Sequence, residues 1–341
     1  MNPCRPSTLT RAEGMPHDAV VSQDTKKSGM KAIARNVLES IGDTPIVELR
    51  KLIPAGSARV LAKLEFANPT GSMKDRMAKA AIEGAEAAGR LGPGGTVVEY
   101  TAGTTGVSLA LVCAVKGYQL KAVFSDAFSD EKRRMMEAFG AHITDVISDQ
   151  KKITESLIQA MIRRAAEISG SPGHWYCDQL NNTDAIRGYQ PLGEEIWAQT
   201  AGRVDAFVHA VGTAHAIHGA TRTLWAHRPE IRIVAVEPQE SAVLSGGPSG
   251  AHQIEGIGIG FVPPLWEPAL VNEIQTVTTS DAKEMARRLA REEGIFAGTS
   301  SGANVVASIR IAQRLGPGST VVTIICDSGL RYLSTDVYRR Q

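Results

Sequence analysis

Short β-rich runs alternate with helical stretches along almost the whole chain, with small-residue turns between them, and this alternation limits the possible folds more than any other feature. The run "TVVEYTAG" (96–103) reads as a strand entering a small-residue loop, and "TGVSLALVCAVKG" (105–117) as a helix stopped by Gly117. The strand "LKAVFSD" (120–126) and the helix "DEKRRMMEAFG" (130–140) follow. Farther along, "VDAFVHAVGT" (204–213), "AIHGATRTLWAHR" (216–228) and "IRIVAVEP" (231–238) repeat the order. The helix "DAKEMARRLAREEG" (281–294) then leads to "GTSSGANVVASIRIAQRLG" (298–316) and the strand "TVVTIICDS" (320–328). Strands separated by helices of this length are joined by crossovers, which predicts an α/β fold with mostly parallel sheets. A chain of 341 residues can build two such domains around a sizeable core.

In open α/β sheets, ligands bind where a strand ends and a helix begins. Four such turns carry chemistry: 71–75, 101–106, 212–216 and 298–302. The first lies in "NPTGSMKDRMAKAA" (68–81), which opens as a turn and closes on strong helix formers. Ser72 is placed as an N-cap and Asp75 falls in the first turn, where the helix dipole favours an acid. Lys74 shares that turn, at the wrong end of a helix for a cation. Backbone N–H donors nearby disfavour its ammonium form and would make it a nucleophile toward a carbonyl; the plainer reading is a surface lysine. "VGTAHAIHG" (211–219) can cradle a phosphate with its amides and the Thr213 hydroxyl, or be a tight connection. "TAGTTG" (101–106) can hold a carboxylate, and "GTSSGAN" (298–304) can bring a hydroxyl to a ring nitrogen or be a serine-rich cap. Together the turns outline a site for a ligand with an aldehyde and a phosphate, and for a carboxylated partner.

Composition narrows the classes further. Lys plus Arg (37) nearly balances Asp plus Glu (36), so no electrostatic footprint for nucleic acid or an anionic membrane is present. The cysteines (Cys4, Cys113, Cys177, Cys326) are scattered, which suits a reducing compartment, and no metal ligands are expected. No apolar run is long enough to span a bilayer and no charged-then-apolar leader opens the chain, which predicts a cytoplasmic protein. Residues 1–32 lack periodicity and are expected to be disordered. No G-x-G-x-x-G follows a strand, which removes a nicotinamide-binding reading.

The chain resembles the cysteine synthase and cystathionine β-synthase family of pyridoxal-phosphate enzymes. "SIGDTPIVEL" (40–49) is similar to that family's opening strand motif, "NPTGSMKDR" (68–76) to its cofactor-lysine motif, "TAGTTG" to its substrate-carboxylate loop and "GTAHA" (212–216) to its phosphate loop. "IEGIGIGFVP" (254–263), "GTSSGAN" and "DSGLRYLST" (327–335) follow in the family's order, so the resemblance covers roughly residues 33–336. It implies the tryptophan synthase β-like fold (pyridoxal-phosphate fold type II), built from two three-layer α/β domains. The small mobile domain would comprise 33–41 and 68–178, and the large cofactor-binding domain 42–67 and 179–336.

The resemblance also implies roles. Lys74 would bind the cofactor and later move a proton. Gly212, Thr213, Ala214, His215 and Ala216 would surround the phosphate, with Thr104 near the ring. Ser300 would meet the pyridine nitrogen, where a neutral hydroxyl leaves a weaker electron sink than a carboxylate and suits β-elimination chemistry. Thr101, Ala102, Gly103, Thr104 and Thr105, with Gln179, would receive the amino acid's carboxylate. The implied reaction is β-replacement on O-acetylserine, O-phosphoserine or serine through an aminoacrylate, giving cysteine or a related β-substituted alanine, in a homodimer. Three positions depart from the family's pattern: Thr104 for Asn, Ala214-His215-Ala216 for Gly-Gly-Thr, and Ala102 for Ser. His215 is open to two readings, a donor to the phosphate or a solvated loop histidine. Alternatives are a serine/threonine dehydratase, disfavoured by Thr105-Gly106 where that type has His-Ala, and a cofactor-poor binding partner. Cys4 and His17 loosely resemble a haem-binding extension, but a chance pairing in a tail accounts for them.

Overall fold

The computed structural model describes residues 33–150 and 153–339. The tail expected to be disordered, with Cys4 and His17, lies outside the described residues. In chain order the elements are β1 (Ile46–Leu49), β2 (Arg59–Leu64), α1 (Lys74–Ala87), β3 (Thr96–Tyr100), α2 (Thr104–Lys116), β4 (Gln119–Phe124), α3 (Asp130–Ala138), β5 (His142–Asp145) and α4 (Glu155–Ser169). They continue with β6 (His174–Tyr176), α5 (Asp184–Arg187), α6 (Gln190–Gln199), β7 (Ala206–Ala210), α7 (His215–His227), β8 (Arg232–Pro238), β9 (Glu273–Val277), α8 (Thr279–Arg288), α9 (Thr299–Leu315) and β10 (Thr320–Ile325).

The alternation read from the sequence gives an α/β fold with two sheets. One is six-stranded in the order β1-β2-β10-β7-β8-β9, and the other four-stranded in the order β5-β4-β3-β6. Every pairing is parallel except β1 with β2, where Ile46 faces Lys63 and Leu49 faces Val60. β10, last in sequence, is inserted between β2 and β7, so Val321 lies opposite both Val60 and Ala206. β3, β7 and β10 are buried along their whole length, as parallel strands covered on both faces should be. Strand period two divides the side chains of β7 and β10 between two cores: Phe207, Val322 and Ile324 enter one, and Ala206, Val208, Val321 and Ile325 the other.

Helix ends follow local chemistry. α2 closes on Gly117 at φ 78, whose N–H returns to Cys113 O. α8 is capped by Thr278, whose side chain accepts from Asp281 N. The helix expected over 281–294 is α-helical only to Arg288, then widens into a π-turn over Leu289–Glu293 that ends at left-handed Gly294. α9 packs closely on α8 because a Cβ on Gly302 would fall inside contact distance of the Ala282 carbonyl.

Candidate active site

The turn before α1 is fixed from both sides. Gly71 at φ +79 closes it with an N–H bond to Asn68 O (2.7 Å). Beyond it, Ser72 bridges Asp327, Met73 N donates to Cys326 O (2.9 Å), and Ser328 N donates to Gly71 O (3.0 Å). A short antiparallel stitch thus binds the turn to the segment leaving β10. Ser72 is not the cap residue itself: Met73 occupies that position, and Ser72 Oγ accepts from Lys74 N at 3.1 Å. Buried Asp75 accepts from Thr70 N (2.8 Å), Thr70 Oγ1 (2.6 Å) and Ser108 Oγ (2.6 Å), which locks the first turn. Lys74 is half-buried in this frame. Burial lowers its pKa against the pull of Cys326 and Asp327, so its neutral, nucleophilic form is favoured more than in water.

The loop entering α2 is held from within. Gly103 stands at φ +111, and the Thr101 hydroxyl accepts from Gly103 N (2.9 Å) and Gly106 N (3.0 Å). Thr101 therefore braces the loop with the hydroxyl the sequence suggested for a ligand. Thr101 N is engaged by Val123 O (2.9 Å). The N–H groups of Thr104 and Thr105, in the first turn of α2, have no acceptor within the helix, and that is the donor set a carboxylate needs. Thr105 Oγ1 donates to Gln179 Oε1 at 2.8 Å, and Gln179 Nε2 donates to Tyr100 O at 2.8 Å. Beneath them Glu99 is fully buried, accepts from Gln179 N at 3.0 Å, and has its pKa pushed well up by burial.

At the start of α7, Ala214 takes a left-handed φ of 68, and the first-turn amides that follow it have no acceptor within the helix. Gly212 permits this because a Cβ there would press into the Gly256 carbonyl oxygen. His215 is 1% exposed, so the solvated-loop reading is overturned. Its Nε2 lies 3.1 Å from Asn182 O and its Nδ1 2.8 Å from Thr213 Oγ1. Because a carbonyl accepts only, Nε2 carries the hydrogen; burial, aided by Lys74, holds the ring neutral with its pKa lowered to about 3. Nδ1 then accepts from the Thr213 hydroxyl.

Ser300 lies in the first turn of α9, whose register is set by Asn304. That side chain accepts from Ala210 N (2.7 Å) and donates to Ile324 O (2.7 Å), joining β7 to β10. Ser301 Oγ accepts from Cys326 N at 2.9 Å.

These turns converge on two adjoining cavities. The first, about 510 Å³, is walled by Lys74, Thr104, Gly212, Thr213, Ala214, His215, Ala216 and Ser300. The second, about 700 Å³, is walled by Thr101, Ala102, Thr104, Thr105 and Gln179. Lys74, Thr104, Gly212 and Thr213 border both. Among the described residues nominated for cofactor or substrate, Gly103 alone lines neither cavity; its Cα faces the side chain of Lys132.

The structure adds residues that were not singled out. Lys132, 1% exposed, pairs with Glu255 and lies 4.5 Å from the centre of the Tyr332 ring, at the wall of the second cavity. His209, on β7, and Asp327, after β10, line the first. The amine, amide cradle and hydroxyl fit a ring bearing a carbonyl and an anionic ester, and His209 Nδ1 is buried there without a partner. Among the described residues, no group of three or more His, Cys, Asp or Glu side chains could hold a metal, and no helix is long and apolar enough to cross a membrane.

Comparison with known proteins agrees with this chemistry. The sequence pattern of the family described as "Pyridoxal-phosphate dependent enzyme" matches residues 37–327. A cysteine synthase of Staphylococcus aureus (strain Mu50 / ATCC 700699) is 40% identical over 305 residues, 89% of this chain and 96% of that protein. The crystal structure of cysteine synthase from Entamoeba histolytica superposes with a TM-score of 0.84 at 37% identity, covering 94% of this chain and 95% of the other. That of an O-ureido-L-serine synthase superposes with a TM-score of 0.85 at 36% identity, covering 90% and 96%.

Proposed function

The chain belongs to the pyridoxal-phosphate dependent enzymes, and from that premise we propose that it replaces the acetate of O-acetylserine with a nucleophile, sulfide in the first instance, to make cysteine. The observation that carries the reading is the position of Lys74. It stands in the wall common to both cavities, with an amide cradle on one side and a second donor set on the other.

Bound in the first cavity, pyridoxal phosphate would supply an electron sink for the carbon that loses its proton. The N–H groups opening α7 would hold its phosphate, and Ser300 would face its ring nitrogen with a neutral hydroxyl. Thr104, shorter than the family's usual Asn, would border the ring. Lys74 would hold the cofactor at rest. Released by the incoming amino acid, its Nζ would take the α-proton, a task suited to an amine whose basicity burial has lowered. The first turn of α2 would orient the substrate carboxylate through Thr104 and Thr105, while Thr101 and Gln179 keep that loop in shape. His215 would act through Thr213, fixing which way its hydroxyl points. Movement of 33–41 with 68–178 against the remainder would close the second cavity and exclude water from the reacting β-carbon. The same proposal includes a homodimer, checked by light scattering, and residence in the cytoplasm, checked by cell fractionation.

The test is a visible spectrum of the purified protein, followed by addition of O-acetylserine and then sulfide. The expected result is an absorption band that O-acetylserine shifts and sulfide restores, with cysteine and acetate released in equal amounts. A colourless protein that stays colourless after incubation with pyridoxal phosphate would overturn the proposal.

A further inference from the structure

Two buried polar atoms in the wall of the first cavity lack hydrogen-bond partners among the described residues, Asp327 Oδ1 and His209 Nδ1. They differ in what surrounds them. Asp327 keeps its other oxygen on the Tyr332 hydroxyl (2.7 Å), and its charge favours the ammonium form of Lys74. Burial and Lys74 both disfavour a second proton on His209, so the ring is neutral, and its Nδ1 has no partner among the described residues. The side chain is 4% exposed and belongs to a face of β7 otherwise given to Phe207, whose ring centre lies 6.1 Å from the imidazole. A hydrocarbon would pack there without leaving a buried polar atom unsatisfied, which is generally destabilising. Burial keeps the ring neutral, its pKa lowered to about 3, so it offers one N–H and one lone pair and adds no second cation beside Lys74.

His215, equally buried in the same wall, sharpens the contrast. Both its nitrogens are satisfied by the protein, one by Thr213 and one by Asn182. Of the two imidazoles lining the cavity, the one in the phosphate-type loop has nothing left to offer a ligand, and the one on the strand below it has.

Resting on the pyridoxal-phosphate reading above, we propose that His209 is a cofactor-binding residue that donates a hydrogen bond to an anionic oxygen of the bound cofactor, on its ring or on its phosphate. It adds the polar contact that Thr104 and the internally engaged His215 leave wanting.

The experiment is a cofactor titration of the resolved apoprotein, read by absorbance and fluorescence, for wild type, His209→Ala, His209→Asn and His209→Gln. The expected result is a Kd for pyridoxal phosphate raised about tenfold or more in His209→Ala, with a shifted absorption maximum. One amide isostere, Asn for Nδ1 or Gln for Nε2, should restore both. Repetition with pyridoxal, which lacks the phosphate, separates the two oxygens: a surviving penalty assigns the contact to the ring, and a vanished one to the phosphate. Should His209→Ala fail to fold by circular dichroism, unequal binding by the two isosteres supports the proposal. Kd values within twofold of wild type for every folded variant, with unchanged spectra, would overturn it. Wild-type protein that takes up no pyridoxal phosphate would overturn the underlying reading, and with it this proposal.

Discussion

The hydroxyl of Thr105 and the side-chain carbonyl of Gln179 are joined by a 2.8 Å hydrogen bond between the start of α2 and the segment leaving β6. The amide end of Gln179 is held in turn by Tyr100 O at 2.8 Å and, more weakly, by Glu99 Oε1 at 3.3 Å. Gln179 is thus oriented by the protein before any substrate arrives. Replacing it by Leu removes the acceptor of Thr105 and frees the loop that would receive the donor's carboxylate. The expected outcome is a KM for O-acetylserine raised about 10-fold or more, with the cofactor spectrum unchanged. A parallel loss of cofactor absorbance would show that Gln179 supports the first cavity instead.

Lys74→Ala should abolish covalent attachment of the cofactor, read as the absence of a borohydride-fixed adduct by mass spectrometry, and should cut kcat by about three orders of magnitude or more. Stability of the apoprotein at neutral pH should hold or rise, because burial disfavours the Lys74 ammonium. An adduct on a different lysine would refute the assignment.

Gly212→Ala places a methyl group against the Gly256 carbonyl, and backbone lies on both sides of that contact. Overpacking of this kind generally costs about 1–3 kcal/mol. Since both loops wall the first cavity, the strain should appear as cofactor affinity weakened by about 5- to 150-fold, measured by equilibrium dialysis. Unchanged affinity in a folded variant would mean that the two loops separate without cost.

The buried histidines should make the apoprotein sensitive to mild acid. His209 and His215 have folded-state pKa values lowered to about 3 from an ordinary 6.5, by burial first and Lys74 second. The unfolded chain therefore binds more protons between these values, so stability is full above pH 6.5 and falls as pH drops through that window. Each ring should remove about 1.4 kcal/mol per pH unit there. His218 and His252 shift in the same direction through burial. Glu195, whose burial is outweighed by Arg76 and Lys63, is held at about 2 and loses its contribution only below its ordinary 4.5. Glu99 and Asp75, whose carboxyls burial pushes up, gain stability as pH falls and oppose this trend, so the histidine share is the difference from a His209→Gln/His215→Gln variant, whose melting temperature should decline less steeply between pH 7 and 5. An unchanged slope would contradict it.

Much of this site was legible in the sequence because its parts are local. Glycine stops, cap residues and small-residue turns are written in neighbouring positions, and so the turns at 71–75, 101–106, 212–216 and 298–302 could be read without knowing what they touch. Residues that reach the site through packing were not. His209 sits in a run that satisfies strand periodicity, and the one available signal was a lone imidazole in an apolar strand just before a phosphate-type turn. Lys132 looked like any cation on a charged helix until folding placed it against Tyr332 and Glu255. The direction of hydroxyls was also hidden: Thr101 and Thr213 were expected to face ligands, and each engages a protein partner. The widening of α8 at Leu289 had no sequence signal.

The stitch between Ser72 and Asp327 also sets a clock. Arg331 reaches Thr70 across 261 positions (Nη2 to Oγ1, 3.1 Å), and β10, needed to bring them together, is made after every other strand of the described residues. The four-stranded sheet comes from one continuous stretch and has all its strands as soon as β6 has emerged. Until β10 is made, Lys74 lacks the surroundings that bury it, and nothing disfavours its ammonium form. Only once β10 is in place is that amine dehydrated and surrounded by its donors. A chain cut before β10 should therefore leave Lys74 with an ordinary amine's basicity.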